Sequence, residues 1–568
     1  MPEKLKVIDV HHDRVVDAPP DCQYLTLSYV FGHVTRLEIP SSGCFDRHQL
    51  PATIRDALIA CQNVGFQFLW VDQICIDQKN EVELQTQINQ MSHIYRAATC
   101  TLVALAGEDS LYGLPGVSRG RTWKQNTVKL DERLVVQLTP PMDVCLENSK
   151  WATRGWTFQE DLFSSRLIFF SEVGLFYNDR LVESSSNVLS EDGCHSTCWA
   201  HLPSLLLYWD VLAFYTRRKL SYPSDAVRAF TAILHEVHGR NGTYYGLPLQ
   251  YFDQGVLWIP QNPTLPSTER HTQFPSWSWA SHDGDITHIN AGTPLAVWAK
   301  PEVTGSTVNM RICRPVSGAE WEPRWGDCRG RLANIYAAWT AGCIPSLLPE
   351  TFSRLLSTQS PFSTRLWGDM PFITTLEGPS LKDLWPTYHA FWEEALGAQI
   401  HDDLFPTDHL KHLPSLDGLI ATHSQVAYFD VRPPTEKLIM KDGSRTFRVQ
   451  SPTGALSGAI RIPEYLQSPS VPCRGEFLLL SITEEAYTDV VNLLSVEDDH
   501  RIEHVVHDRT LRQCDRYGEK GHDRETMVNV MLISRSGNHD IARRVGVGQI
   551  FLKSWAEAER QFKSIFLQ

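Results

Sequence analysis

No stretch of the chain approaches the run of about 20 apolar residues that a membrane-crossing helix needs, which argues against a helical membrane protein. The opening residues, MPEKLKVIDVHHDRVV, carry charges where a secretory leader needs an apolar segment, so a cytoplasmic protein with no membrane partner is expected. Basic clusters are missing as well. The 52 Lys and Arg residues are dispersed among 66 Asp and Glu, leaving a net charge of −14, and nucleic acid is a poor fit as a partner. Internal repeats and low-complexity tracts are absent. Paired cysteines are also absent: the 13 present are odd in number and scattered, and Cys75 and Cys100 sit inside apolar runs, as buried thiols do. Cys194, His195, Cys198 and His201 stand closer together than zinc-ligand spacings allow, so a loop or structural role is expected there and no metal. Gly546-Val547-Gly548 lacks the third glycine and the acidic partner of a dinucleotide fingerprint, and no cofactor is inferred from it.

What is there is an ordinary globular composition, 42% hydrophobic and 21% charged, in 568 residues, enough for two or three domains. Residues 24–30, YLTLSYV, are β-favouring and stop at Phe31-Gly32. Pro51 opens a helical pattern through Ile54, Leu58, Cys61 and Val64, with Gly65 as its exit. A short buried strand, 66–72, follows, then a helix marked by Leu84, Ile88, Met91, Tyr95 and Ala98, then a strand at 99–107. This β-α-β-α-β order predicts an α/β fold with a parallel, flavodoxin-like sheet and flanking helices. Ligands of such sheets gather at the carboxyl ends of the strands, here Ser28 to Gly32, Asp72 to Cys75 and Gly107 to Asp109. Residues 108–150 read as an insertion with a hairpin near Val128 to Leu138. Boundaries are expected near 200 and 300. The segment 201–300 has helices at Leu205–Leu220 and Ala226–His238, the second capped by Ser224, and ends in the strand-like PSWSWAS, 275–281. The remainder, 301–568, is expected to be β-rich, with a hairpin at Asp442-Gly443, strands at FLLLSI and VNVMLIS, and a last helix from Lys553 to Phe566.

One acid stands out chemically. Glu160 lies one helical turn after Trp156 in WATRGWTFQEDLFSSR, 151–166, a segment that otherwise reads as a buried amphipathic helix, and buried carboxylates have either a partner or a task. Four residues apart on a helix, indole and carboxylate share a face. The plain alternative is a capping or ion-pairing Glu, with Arg154 or Arg166 as partner. Asp72, just past a strand, is either a ligand-binding residue or a cap of the next turn. Ser28 and Tyr29 either line a pocket or complete the first strand. Trp70 alternates with Phe66 and Phe68 and reads as core, Trp277 and Trp279 as a strand packing against the first domain, and nothing local activates Cys75 as a nucleophile with His93.

The motifs LSYVFG, LPATIRDAL, FLWVDQICIDQ, MSHIYRAA and RGWTFQE occur in the order found in the fungal heterokaryon-incompatibility (HET) domain, and residues 1–200 resemble that family. LSYPSDAVRAF, PSWSWAS and RRVGVGQI are similar to downstream segments of full-length fungal proteins of this type. Phe31 departs from the pattern, which has Trp there. The resemblance implies a remotely TIR-like domain and a role in non-self recognition and regulated cell death through protein partners or self-association. It also implies NAD as a possible substrate, with Glu160 as the catalytic carboxylate and Ser28, Tyr29, Gly32, Asp72 and Trp156 around the ligand. The alternatives are a TIR-like assembly module without turnover, or a regulatory protein with no incompatibility role.

Overall fold

Short runs of β-branched and aromatic residues form the strands of the N-terminal unit in a computed structural model of the chain. The structure describes residues 5–32, 42–77, 79–181, 205–239, 242–261, 273–289, 292–305, 307–313, 405–408, 410, 413, 415–433, 446–463, 474–483, 527–535 and 541–568. These fall into two compact units, one comprising 1–202 with 217–233, the other 203–216 with 234–568.

In the first unit the elements run β1 (Lys6–Asp9), β2 (Arg14–Asp17), β3 (Tyr24–Ser28), α1 (Ala52–Asn63), β4 (Phe68–Trp70), α2 (Asp72–Cys75), α3 (Glu81–Ala97) and β5 (Cys100–Ala104). A hairpin, β6 (Thr127–Leu130) and β7 (Arg133–Val136), is followed by α4 (Met142–Glu147), α5 (Gly155–Phe163), β8 (Arg166–Phe170) and β9 (Leu175–Asp179). The sheet order is β2-β1-β4-β3-β5-β8-β9. Its centre is parallel, with Thr26 opposite Trp70 and Thr101 and Val103 opposite Phe169, as expected of strands joined by helices. The edges are antiparallel: β1 pairs with β4, β2 with β1, and β9 with β8. Counting only the parallel strands, the order is second, first, third, fourth. That is the flavodoxin-like order, whose chain reverses direction between its first and third strands, here β3 and β5. All five residues of β3 and of β5 are buried, so this is the centre of the unit. The hairpin lies where the sequence places it, fully exposed.

The second unit holds α6 (Leu205–Thr216) and the short strands β10 (Thr243–Tyr244), β11 (Leu247–Pro248), β12 (Trp258–Pro260), β13 (Ile286–His288) and β14 (Thr293–Pro294). It continues with β15 (Val297–Thr304), β16 (Thr307–Ile312), β17 (Ile420–Arg432), β18 (Thr446–Gln450), β19 (Leu456–Arg461), β20 (Arg474–Thr483), β21 (Met527–Arg535), β22 (Ile541–Phe551) and β23 (Arg560–Leu567). FLLLSI and VNVMLIS are β20 and β21, as expected. Pairing runs from β17 to β18, β19, β22, β21, β20 and back to β17, so six antiparallel strands close into a ring. The glycines of RRVGVGQI belong to this closure: a Cβ at Gly548 would stand 2.1 Å from the Ala459 carbonyl oxygen, so only glycine lets the two strands approach.

Three expectations are corrected here. PSWSWAS is not a strand but turns into a single 3-10 turn, Trp279–Ser281, capped by the Ser278 side chain on the Ala280 N–H. Its aromatics pack within the second unit, Trp277 against Tyr244 and Phe252, and Trp279 against Tyr215. The last helix stops at Glu557, and Arg560–Leu567 is a strand paired along β17, because alternation in QFKSIFL satisfies a sheet as well as a helix. Ser224 lies inside a 3-10 turn, Pro223–Asp225, rather than at the start of the helix Arg228–His238. Asp442-Gly443 and the Cys194–His201 cluster lie outside the described residues.

Candidate functional site

The carboxyl ends of β3 and β4 and the helix α5 deliver side chains to one place. Ser28, the last residue of β3 and fully buried, donates its hydroxyl to Glu160 Oε2 at 2.5 Å. The Trp151 indole N–H donates in turn to Ser28 Oγ at 2.7 Å. Glu160 is 6% exposed, so it is a buried acid whose charge is met by a hydroxyl rather than by a salt bridge. Burial pushes its pKa up, and Ser28, the Arg154 charge, Tyr95 and the Arg218 charge pull it back in that order. Arg166, offered as an alternative partner, pairs with Asp179 at 3.1 Å instead.

The backbone beneath Glu160 is fixed by hydroxyls. Thr26 bonds Thr101 at 2.7 Å, Thr101 bonds Ser164 at 2.6 Å, and Ser164 donates to the Glu160 carbonyl at 2.6 Å. This ladder runs from β3 through β5 to the end of α5 and is wholly buried, so each member satisfies the next. The start of α5 is held by Thr157, whose hydroxyl donates to the carbonyls of Trp151 and Arg154 at 2.7 and 2.9 Å. It is also held by an exchange with Lys219: the Gly155 N–H donates to its carbonyl at 2.8 Å, and its N–H to Thr153 O at 2.6 Å.

Tyr29 is buried beside Ser28, and its hydroxyl donates to Gln73 Oε1 at 3.0 Å. Asp72 begins α2, where its Oδ1 accepts the Gln73 N–H at 2.7 Å. The residue as a whole is half-buried, but its carboxyl group is enclosed, and burial followed by the nearby Glu160 charge pushes its pKa up to about 7. Arg154, half-buried, donates to the Tyr29 carbonyl at 3.0 Å and lies 5.3 Å over the Phe31 ring, so this aromatic serves as a platform for a cation. Gly32 has φ +73°, and a Cβ there would meet the Asp109 Cβ at 2.3 Å; glycine is required for the end of β3 to close against the loop after β5.

The structure therefore brings Ser28, Tyr29, Asp72 and Glu160 into one cluster at the carboxyl edge of the sheet, whereas Gly32 packs against Asp109 of the loop after β5. Trp156 is half-buried and its indole N–H donates to Asp225 Oδ2 at 3.3 Å, within the first unit. The indole that touches the Ser28–Glu160 pair is that of Trp151, on the turn before α5. Neither Trp151 nor Tyr95 was singled out from the sequence. Trp151 reaches Ser28 across 123 residues, a contact with no local signal, and Tyr95 reads simply as the core face of α3. Cys75 is buried with its thiol pushed up to about 12, which opposes a nucleophilic role. Among the described residues no group of three His, Cys, Asp or Glu side chains is arranged to hold a metal, and no helix is long and apolar enough to cross a membrane.

Residues 24–160, which span the cluster from Tyr24 to Glu160, match the family model for heterokaryon incompatibility protein (HET). The chain is 33% identical over 116 residues to vegetative incompatibility protein HET-E-1 of Podospora anserina, a match covering 20% of this chain and 7% of that relative. No solved structure matches. Residues 24–160 of this chain are thus a HET domain, and the buried Ser28–Glu160 pair joins its first and last segments.

Proposed function

We propose that the chain is an incompatibility-type effector in fungal non-self recognition and regulated cell death, and that its output is hydrolysis of NAD at Glu160. The observation that carries the chemistry is one buried carboxylate at the carboxyl edge of a parallel sheet, beside the point where the chain reverses direction. Cleavage of the bond between nicotinamide and ribose sends the bonding electron pair out with nicotinamide and leaves an oxocarbenium-like ribose. A fixed anion stabilises that charge, and water then adds to the ribose carbon and releases a proton. Arg154 supplies a cation for the phosphates. With 6% exposure Glu160 meets a ligand only after a neighbour moves, which fits an output held off until a binding event. The purified full chain, with and without induced clustering, is expected to consume NAD only when clustered. No consumption in either state removes the enzymatic reading.

A second reading, assembly without turnover, draws on the hairpin. Val128, Leu130, Leu134 and Val135 are each at least half exposed there, an apolar surface suited to a protein partner. Toxicity that persists with NAD levels unchanged would establish it.

A further inference from the structure

Helix α5 carries Glu160 but does not cap its own first turn. Arg154 stands at its N-cap position with no side-chain bond to that turn, and its guanidinium engages the Tyr29 carbonyl and the Phe31 ring instead. An acceptor comes from residues 217–225, which follow α6 and lie beyond the family match at 24–160. The Lys219 carbonyl takes the Gly155 N–H at 2.8 Å, and the Lys219 N–H returns to Thr153 O at 2.6 Å. Arg218 donates to the Arg154 carbonyl and to Thr157 Oγ1, both at 3.2 Å, and its guanidinium lies 4.7 Å over the Phe158 ring. Asp225 accepts the Trp156 indole N–H at 3.3 Å. Gly155 lets the two segments touch, since a Cβ there would stand 2.4 Å from Leu220 Cδ2. Two letters of LSYPSDAVRAF thereby acquire a reason, Leu220 against Gly155 and Asp225 against Trp156.

We propose that residues 217–225 are an inhibitory strap: they hold α5 closed over Glu160, and their release is the step that admits a ligand to it. The proposal rests on the reading of Glu160 as the functional carboxylate. Every contact named falls on residues 153–158, just before Glu160, where the hydrogen bonding of a helix is incomplete by itself. Arg154 passes the restraint to the site, because Arg218 holds its carbonyl while its own side chain holds the Tyr29 carbonyl next to Ser28. The strap is also built for release. Its backbone meets the start of α5 at a single isolated bridge, Arg154 with Lys219, and not along a ladder, and its side-chain bonds are 3.2 to 3.3 Å long. Residues 203–216 before it and 234–568 after it belong to the second unit. A rearrangement of that unit therefore acts on the strap through the covalent chain.

The test is carbodiimide coupling of glycine ethyl ester to the carboxyl groups of the full chain, read residue by residue by mass spectrometry. The wild type is compared with a double variant, Arg218→Lys with Asp225→Ala. Lysine keeps the positive charge that acts on Glu160 but not the fork that reaches two oxygens, so the labelling reads access to the carboxylate. Asp56 is the internal control, buried in the same unit on α1 and bonded to Leu114 and Ser118. Both acids should label slowly in the wild type. In the double variant Glu160 is expected to label about tenfold faster, while Asp56 stays at the wild-type rate. Asp225→Asn keeps an oxygen for the Trp156 indole and should label as the wild type does. Glu160 labelling at the wild-type rate in the double variant would overturn the proposal. So would Glu160 and Asp56 rising together, because the segment would then support the whole unit and not close one site. If the double variant does not fold, Asp225→Ala alone decides by the same two rates. The labelling needs no substrate, so failure to turn over NAD removes the functional reading without deciding this one.

Discussion

Ser28 makes two of the shortest polar contacts in the site, accepting from Trp151 and donating to Glu160, and these join β3 to the segment leading into α5. Ser28→Ala removes both while leaving a buried acid and a buried indole N–H short of a partner. Loss of about 1–3 kcal/mol is expected in urea unfolding of the first unit. The pH dependence follows from the sign of the Glu160 shift. Its pKa in the fold lies above the ordinary 4.5, so its contribution is most favourable below that value and declines as pH rises toward the folded pKa. Ser28 lowers that folded pKa, so in Ser28→Ala the decline extends to higher pH; parallel stability curves for the two proteins would contradict the role given to the hydroxyl. Glu160 was legible in the sequence as a lone acid in an apolar helix. Ser28 was legible as a strand-end residue that either lines a pocket or completes the strand, but its bond to Glu160 was not, because a contact over 132 residues leaves no periodic trace.

At the scale of elements, the central strands and their helices were readable because burial imposes a period: β3, β4 and β5 are apolar runs, and α1 and α3 keep an apolar stripe. The edge strands were not. KVID and RVVD are short and set among charges, and RLIFF follows α5 with no glycine or proline to mark a new element. The LPATIRDAL helix holds a further reason for its sequence. Asp56 is fully buried, and its Oδ2 accepts from the Leu114 N–H and the Ser118 hydroxyl, both at 2.8 Å. The loop after β5 is thereby fastened to α1 and, through the Ser110 hydroxyl on the Phe31 carbonyl at 2.9 Å, to the end of β3. Asp56→Ala should cost about 1–3 kcal/mol and speed amide exchange over 110–118. Unchanged protection there would mean that the loop does not depend on this carboxylate.

For the whole molecule, the first unit is not a continuous stretch of chain. Residues 217–233 belong to it, and Lys219 and Arg218 brace the start of the helix that carries Glu160. A fragment ending at residue 202 should therefore show faster amide exchange over 153–160 than the full chain does, and equal protection would contradict a bracing role. The match to the family model ends at Glu160, so this brace lies outside it. The central claim, that the charge of Glu160 performs the output, is tested most directly by expressing the full chain and its Glu160→Gln variant in fungal cells at equal abundance, inducing clustering, and following NAD and viability. Glutamine keeps the size and most of the hydrogen bonding and removes the charge, so turnover should drop roughly a hundredfold or more. Wild type should deplete NAD before cells die, and the variant should leave both NAD and viability intact. Death of cells carrying Glu160→Gln at the wild-type rate, or death from the wild type with NAD undiminished, would contradict it.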